Sequence, residues 1–230
     1  MAIFNPGPAV GQISGRIGGS IFSHNRGGAY IRNGAIPTKS TTTPATQAKA
    51  RLAAASMAWQ GLTSDQRLGW GAFSVQNPTI NRLGSKITLS GHQQYVRNFC
   101  RCDRAGVATL ADPPVGEAPA TLTALTLSLD IGAGAFTAIY TATPLGATEY
   151  LWMYAAVVQS PGVTYVQNLL KLITVSAAAQ ASPYDFETDL SDRFGTLQVG
   201  HAVAVDAYVF DSATGLLSAP RRATGLITTT

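Results

Sequence analysis

The spacing of apolar residues changes once along this chain, and that change constrains the fold more than any single motif. Before Gly106 the apolar residues recur at three- and four-residue intervals; after Pro119 they recur at every second residue. The first spacing lines one face of an α-helix and the second lines one face of a β-strand. No single element satisfies both, so the chain must build a helical region and then a strand region. Between them GVATLADPPVGEAP carries three prolines and two glycines, which a helix or sheet interior does not accommodate.

Three helices are expected in the first region. One runs about Ala45 to Leu62, with Leu52, Ala55, Ser56 and Trp59 on one face. A second opens at Thr63, where Thr63-Ser64-Asp65-Gln66 has the capping-box spacing, and Trp70 and Phe73 give it an apolar side. A third opens at a similar box, Ser90-Gly91-His92-Gln93, with Tyr95, Phe99 and Cys102 on one side and Arg97, Arg101 and Arg104 on another. Trp59, Trp70 and Phe73 read as a small helical core, or, for one of them, as an aromatic anchor at an interface.

The second region alternates. Leu125, Leu127 and Leu129 lead into a glycine turn over 130–134, and Phe136, Ala138 and Tyr140 follow. Tyr150 to Val158 is apolar on both faces, Leu169 to Ser176 is another strand, and Val203, Val205, Ala207 and Val209 precede a last strand from Leu216. Ser182 to Gly195 reads as turns or a short helix. Six or seven short strands over roughly 110 residues predict an immunoglobulin-like or fibronectin-type sandwich, with Trp152 as its core tryptophan. No cysteine pair bridges the sheets, which favours the fibronectin type. The fold class is therefore α+β. An extended arm and linker occupy 1–44, a helical region 45–106, a proline-rich linker 107–118 and the sandwich 119–230.

The arm is unlike either region. Gly15 to Arg32 holds three arginines and five glycines and no acidic residue. Two short strands are expected around Asn25-Arg26-Gly27-Gly28, with so little apolar face that a partner sheet or an assembly neighbour must complete them. Pro37 to Pro44 follows as an extended linker. Charge is split along the chain: residues 1–106 carry 12 Lys/Arg against two acids, a net of +10, while residues 107–230 carry four against ten, a net of −6. Charged residues are 12% of the chain, about half the ordinary share, so partners are expected to cover much of the surface. A basic arm can meet nucleic acid, an acidic protein surface, or the acidic half of a neighbouring copy.

The chain carries no catalytic signature. It lacks a phosphate-binding loop, a nucleophile elbow, a zinc-protease helix and a dinucleotide fingerprint, and His24, His92 and His201 lie far apart. Cys100 and Cys102 stand two apart in a helix and read as structural thiols, against a metal site with His92 and Asp103. Asp185, Glu187, Asp189 and Asp192 read as a solvated loop or a docking site for the arm, against a calcium loop. The first residues lack the basic and apolar regions of a secretory leader, and Tyr150 to Leu170 is broken by Pro161-Gly162, so a cytoplasmic product without a membrane span is expected. No cofactor and no metal are expected, and no enzymatic activity.

Gly18 to Arg32 resembles a glycine/arginine segment near the start of virion structural proteins of tailed bacteriophages. The proline-threonine stretch after it, Thr46-Gln47, and Leu62 to Trp70 are similar too, so the match extends over residues 15–73. The resemblance implies a virion component made in the host bacterial cytoplasm and forming a symmetric homo-oligomer in the particle. Such a chain would cement or decorate neighbouring virion proteins in the head, neck or tail. Arg16, Arg26, Tyr30, Arg32, Arg67 and Trp70 are the expected partner contacts. The alternative is a host-receptor or glycan-binding module displayed by the sandwich, with Tyr165 and Tyr184 as contacts, and a third reading is DNA contact through the arm.

Overall fold

Thr63 and Ser90 each start a helix by the same reciprocal pair of bonds. Thr63 Oγ1 accepts the Gln66 N–H at 3.3 Å while Gln66 Oε1 accepts the Thr63 N–H at 2.9 Å. Ser90 Oγ accepts from Gln93 at 3.2 Å and Gln93 Oε1 from Ser90 at 2.9 Å. Two otherwise orphaned donors are satisfied at each helix start. The computed structural model describes residues 2–5, 7, 11–34, 41–81, 84–132, 135–163 and 165–229. It holds both helices and sheets, an α+β chain. Residues 6 and 8–10 of the N-terminal lead, 37–40 of the expected linker and 133–134 of the expected glycine turn lie outside the described residues.

The chain divides into two compact units, Met1–Cys100 with Ala111–Pro113, and Arg101–Leu110 with Pro114–Thr230. The first unit begins with four strands, β1 (Ala2–Phe4), β2 (Gly15–Ile17), β3 (Ser20–Asn25) and β4 (Gly28–Asn33). They form one antiparallel sheet in the order β1-β4-β3-β2. The stretch expected as an extended arm with two strands is thus a sheet paired with itself. The helices follow as α1 (Thr43–Gln60), α2 (Ser64–Gln76) and α3 (Gly91–Ala105), with the short pair β5 (Thr79–Ile80) and β6 (Lys86–Ile87) between the last two. Pro44, expected to close the linker, sits instead in the first turn of α1, where a missing N–H costs nothing.

The core of this unit is aromatic. Trp70 meets Phe73 edge-on at 5.6 Å and Tyr95 edge-on at 5.3 Å, and Tyr95 lies tilted against Trp59 at 5.4 Å. Ala55 is buried on α1, whereas Leu52, expected on the same face, is exposed. A Cβ on Gly91 would stand 2.9 Å from the backbone nitrogen of Gly71. Only glycine lets the start of α3 approach α2 so closely.

The second unit holds β7 (Ala124–Asp130), β8 (Ala135–Thr141), β9 (Glu149–Val158), β10 (Lys171–Ala178), β11 (Tyr184–Asp185), α4 (Glu187–Phe194), β12 (Ala202–Asp211), β13 (Leu216–Leu217) and β14 (Arg221–Leu226). Strands β11-β8-β7 make one sheet. Strands β10-β9-β12 make another, with β13 and β14 both on β12. Leu125, Leu129, Phe136, Ala138 and Tyr140 of the first sheet share a core with Leu151, Met153, Ala155, Val203, Val205, Ala207 and Val209 of the second. The stretch from Ser182 to Gly195, expected as turns or a short helix with its acids on a loop, holds the helix α4, which carries Glu187, Asp189 and Asp192 and adds Leu190 to that core.

Trp152 is buried, but not between the sheets. Alternation along β9 turns Leu151 and Met153 inward and Trp152 to the opposite face. There it meets Phe210 and the Cys102 side chain, with Ala105 and Val107 beside them. On the same face Asp206, 2% exposed, accepts from Arg222 Nε at 2.6 Å and Nη2 at 2.7 Å. This forked geometry suits guanidinium and carboxylate, and it compensates a charge that burial would otherwise penalise.

Burial pushes the Cys102 thiol from the ordinary 9.0 up to about 11. The folded chain therefore holds this proton to a higher pH than the unfolded chain does. The thiol's contribution is fully present below about pH 9 and is lost as pH rises toward about 11, on the order of 2 kcal/mol in all. Urea unfolding across this window should show Cys102→Ala with a shallower fall of stability than the parent. Parallel curves would remove the thiol as the cause.

Candidate functional site

The hairpin between β3 and β4 turns through Arg26 and Gly27 alone. Asn25 Oδ1 accepts the Gly27 N–H at 2.8 Å, and Gly28 adopts a φ of +109°, a backbone region that side chains disfavour. This tight turn sets the register of the sheet, and the register sorts its side chains. Arg16 lies opposite Ile21, and Ile21 opposite Arg32, so the two arginines share one row and one face. Tyr30, two residues from Arg32, joins that face beside Ile3 and Ser23. The other face carries Phe4 and Phe22, whose rings meet edge-on at 6.2 Å, and the buried Ala29.

Among the described residues, β1 and β2 end the sheet on either side, each with one neighbour, so both present an open edge. Every residue of β2 is exposed, and Ile17 is 70% exposed. Arg16 Nε donates to the carbonyl of Gly18 at 3.0 Å, which holds its stem against the strand; Arg32 is exposed. Arg26 and Tyr30 line a cavity of about 280 Å³ at the hairpin end, closed by Ile87, Leu89 and Gln93. No acidic residue precedes Asp65, so nothing in the sheet's own sequence neutralises these arginines.

The remaining two expected contacts behave differently. Arg67 Nη2 donates to the Gln60 carbonyl at 2.7 Å, and its guanidinium lies 5.9 Å from the centre of the Trp59 ring. It ties α2 back to the end of α1. Trp70 is 0% exposed and its Nε1 donates to the Ala111 carbonyl at 3.0 Å. A partner cannot reach it, so it leaves the contact set and joins the core. The geometry gathers Arg16 with Arg32, and Arg26 with Tyr30, on one sheet.

In the second unit Tyr165 is 69% exposed, as expected of a contact. Tyr184 is half-buried; its hydroxyl is bonded to Thr174 at 3.2 Å and donates to Asp189 at 3.3 Å. Its hydroxyl is tied to these neighbours. Asp185 Oδ1 accepts the Glu187 N–H at 3.0 Å, a local contact at the start of α4. Among the described residues no group of three or more His, Cys, Asp or Glu side chains could hold a metal ion. No helix among them is long and apolar enough to cross a membrane. Sequence reasoning missed the pair Asp206–Arg222, which strand register alone brings together.

No protein-family model matches the chain, and no curated protein does.

Trp70→Phe keeps an aromatic ring but removes the N–H that donates to Ala111 and leaves a cavity where the larger indole packed. The loss should be about 2 to 3 kcal/mol of unfolding free energy in a denaturant titration. A variant of unchanged stability would show that neither the indole's bulk nor its N–H contributes to this core.

Proposed function

We propose that this chain is a non-enzymatic structural protein of a tailed-bacteriophage virion, made in the host cytoplasm, and that it cements or decorates neighbouring virion proteins through its N-terminal sheet. The observation that carries the reading is that sheet. It has two open edges and an arginine row, in a stretch of sequence without a carboxylate. An open edge presents unpaired backbone N–H and C=O groups, a ready template for a strand of another chain. Arginine forks bind carboxylates in preference to water-exposed neutral groups. A partner that supplies a strand or an acidic surface completes both at once.

Copies of the same chain are suitable partners, since residues 107–230 carry a net charge of −6. A basic sheet on one copy and an acidic unit on the next make a heterologous contact, which closes into a ring when the rotation allows. The low charge content fits a chain whose surface is shared out among neighbours. Proposed with this role is an immunoglobulin/fibronectin-type sandwich for the second unit. What supports it is the partition of strands. β7, β8 and β11 lie on one sheet, and β9, β12 and β14 on the other with β10 added beside β9, the division seen in such sandwiches.

The test is incorporation. Arg26→Ala and Arg32→Ala together should lower the chain's incorporation into particles roughly tenfold, as for one charge-assisted bond of about 1.5 kcal/mol. Thermal unfolding of the second unit should be unchanged. Equal incorporation of variant and parent would contradict the reading. Binding to duplex DNA that falls steeply with salt would replace the protein partner with nucleic acid.

A further inference from the structure

Alternation along β9, β12 and β14 places three cross-strand rows on the outer face of the five-stranded sheet. Val158, Ala202 and Leu226 form one row, Ala156, Ala204 and Thr224 the next, and Tyr154, Asp206 and Arg222 the third. Alanine holds the middle of the first two rows, where a sheet ordinarily carries branched or aromatic side chains. The missing volume is a hollow. The segment between β9 and β10 brings Pro161, Val163 and Val166 to it, and the resulting cavity has a volume of about 390 Å³. Val158, Val166 and Ala204 in its wall are buried, whereas Val163 and Leu226 are exposed, so the wall runs from a dry interior out to solvent.

Arg222 and Thr224 are the polar side chains of its lining, and no carboxylate joins them. Arg222 is forked onto Asp206 through Nε and Nη2, so the two charges cancel. Its Nη2 also donates to Gln167 Oε1 at 2.6 Å. Its Nη1 has no partner among the described residues and keeps two N–H donors. The Thr224 hydroxyl likewise has none among them. The cavity is therefore apolar in its walls, neutral in charge, and supplied with donors beside one row of the sheet.

We propose that this cavity binds an aliphatic chain ending in an uncharged hydrogen-bond acceptor, such as an amide or ester carbonyl. The valines, alanines and leucine of the wall take the chain, whose apolar surface leaves water. The carbonyl accepts from Arg222 Nη1 and from the Thr224 hydroxyl, which replaces the hydrogen bonds it gives up. A carboxylate or ammonium head would lose its hydration without gaining a counter-ion, because Asp206 and Arg222 already neutralise each other. A chain with no acceptor would cover the donors and leave them unpaired. The volume is at the small end of ligand sites and suits a chain of about six carbons. The inference stands on the second unit alone and does not depend on the virion reading.

An NMR titration of the isotope-labelled full chain tests it, with hexanamide, hexanoate and hexylammonium as probes that share one chain length. Hexanamide should move the amide signals of Ala202, Ala204, Thr224 and Leu226, and the shifts should saturate by about 20 mM, where a site of millimolar affinity is largely filled. It should bind about threefold more tightly than either charged probe. Ala202→Leu, which fills the floor with apolar bulk, should weaken hexanamide about tenfold. Thr224→Val, which keeps the shape and removes the hydroxyl, should weaken it about threefold, and Val163→Ser at the exposed mouth by a similar factor. Thermal unfolding of each variant checks that the fold is kept, and the two milder variants carry the test should Ala202→Leu unfold. Absence of saturable shifts with hexanamide overturns the proposal. So does hexanamide binding that survives the folded variants unchanged, or a charged probe that binds as tightly as the amide.

Discussion

The pairing of β9 with β12 is the constraint on which the second unit depends. Ten residues of each strand run antiparallel and in unbroken register, from Glu149 opposite Asp211 to Val158 opposite Ala202. Both strands are buried on both faces, so every position is committed to one layer or the other. A slip of one residue would carry Leu151, Met153, Val203 and Val205 out of the inter-sheet core and put tyrosines and a carboxylate into it. The pairing of β12 with β14 sets Asp206 opposite Arg222, and alternation along β9 and β12 puts Tyr154 and Tyr208 on the same outer face.

That outer face explains how the unit can hold so large an aromatic content away from its core. Trp152 and Phe210 are covered by Cys102, Ala105 and Val107, while Ala156, Val158 and Ala204 are covered by Val166 and Leu170. Both patches exclude water. Between them stands the buried carboxylate of Asp206, and a charge there persists only because Arg222 meets it with two donors. The sheet is thus covered on one side by another sheet and on the other by short chain segments.

What could be read from the sequence was local. Both capping boxes join residues three apart, so Thr63 and Ser90 announce their helices without reference to the rest of the chain. The alternation of Val203 to Val209 announces β12 in the same way. Trp152 shows the limit: a strand apolar on both faces does not say which face meets the second sheet. β1 and β2 were hidden because three residues are too few for a period, and only pairing with β4 and β3 makes them strands. Within the candidate contact surface the arginines were visible as composition, but their alignment into a row depends on that pairing. Trp70 was ambiguous for a related reason. A helical tryptophan spaced for a core and one spaced for an interface look alike until the residues opposite it, here Tyr95 and Ala111, are in place.

The N-terminal sheet differs from the second unit in kind. Among the described residues its hydrogen bonds are satisfied in its middle and open at its edges, it buries little, and its sequence carries no acid in the first 64 residues. Such a sheet is complete as a fold and incomplete as a surface. Hydrogen exchange compared between the free chain and the chain in the particle proposed for it measures this most directly. The account predicts that amides of β1 and β2 exchange fast in the free chain and slowly once assembled, while those of β9 and β12 stay slow in both. Equal exchange of β1 and β2 in the two states would contradict it.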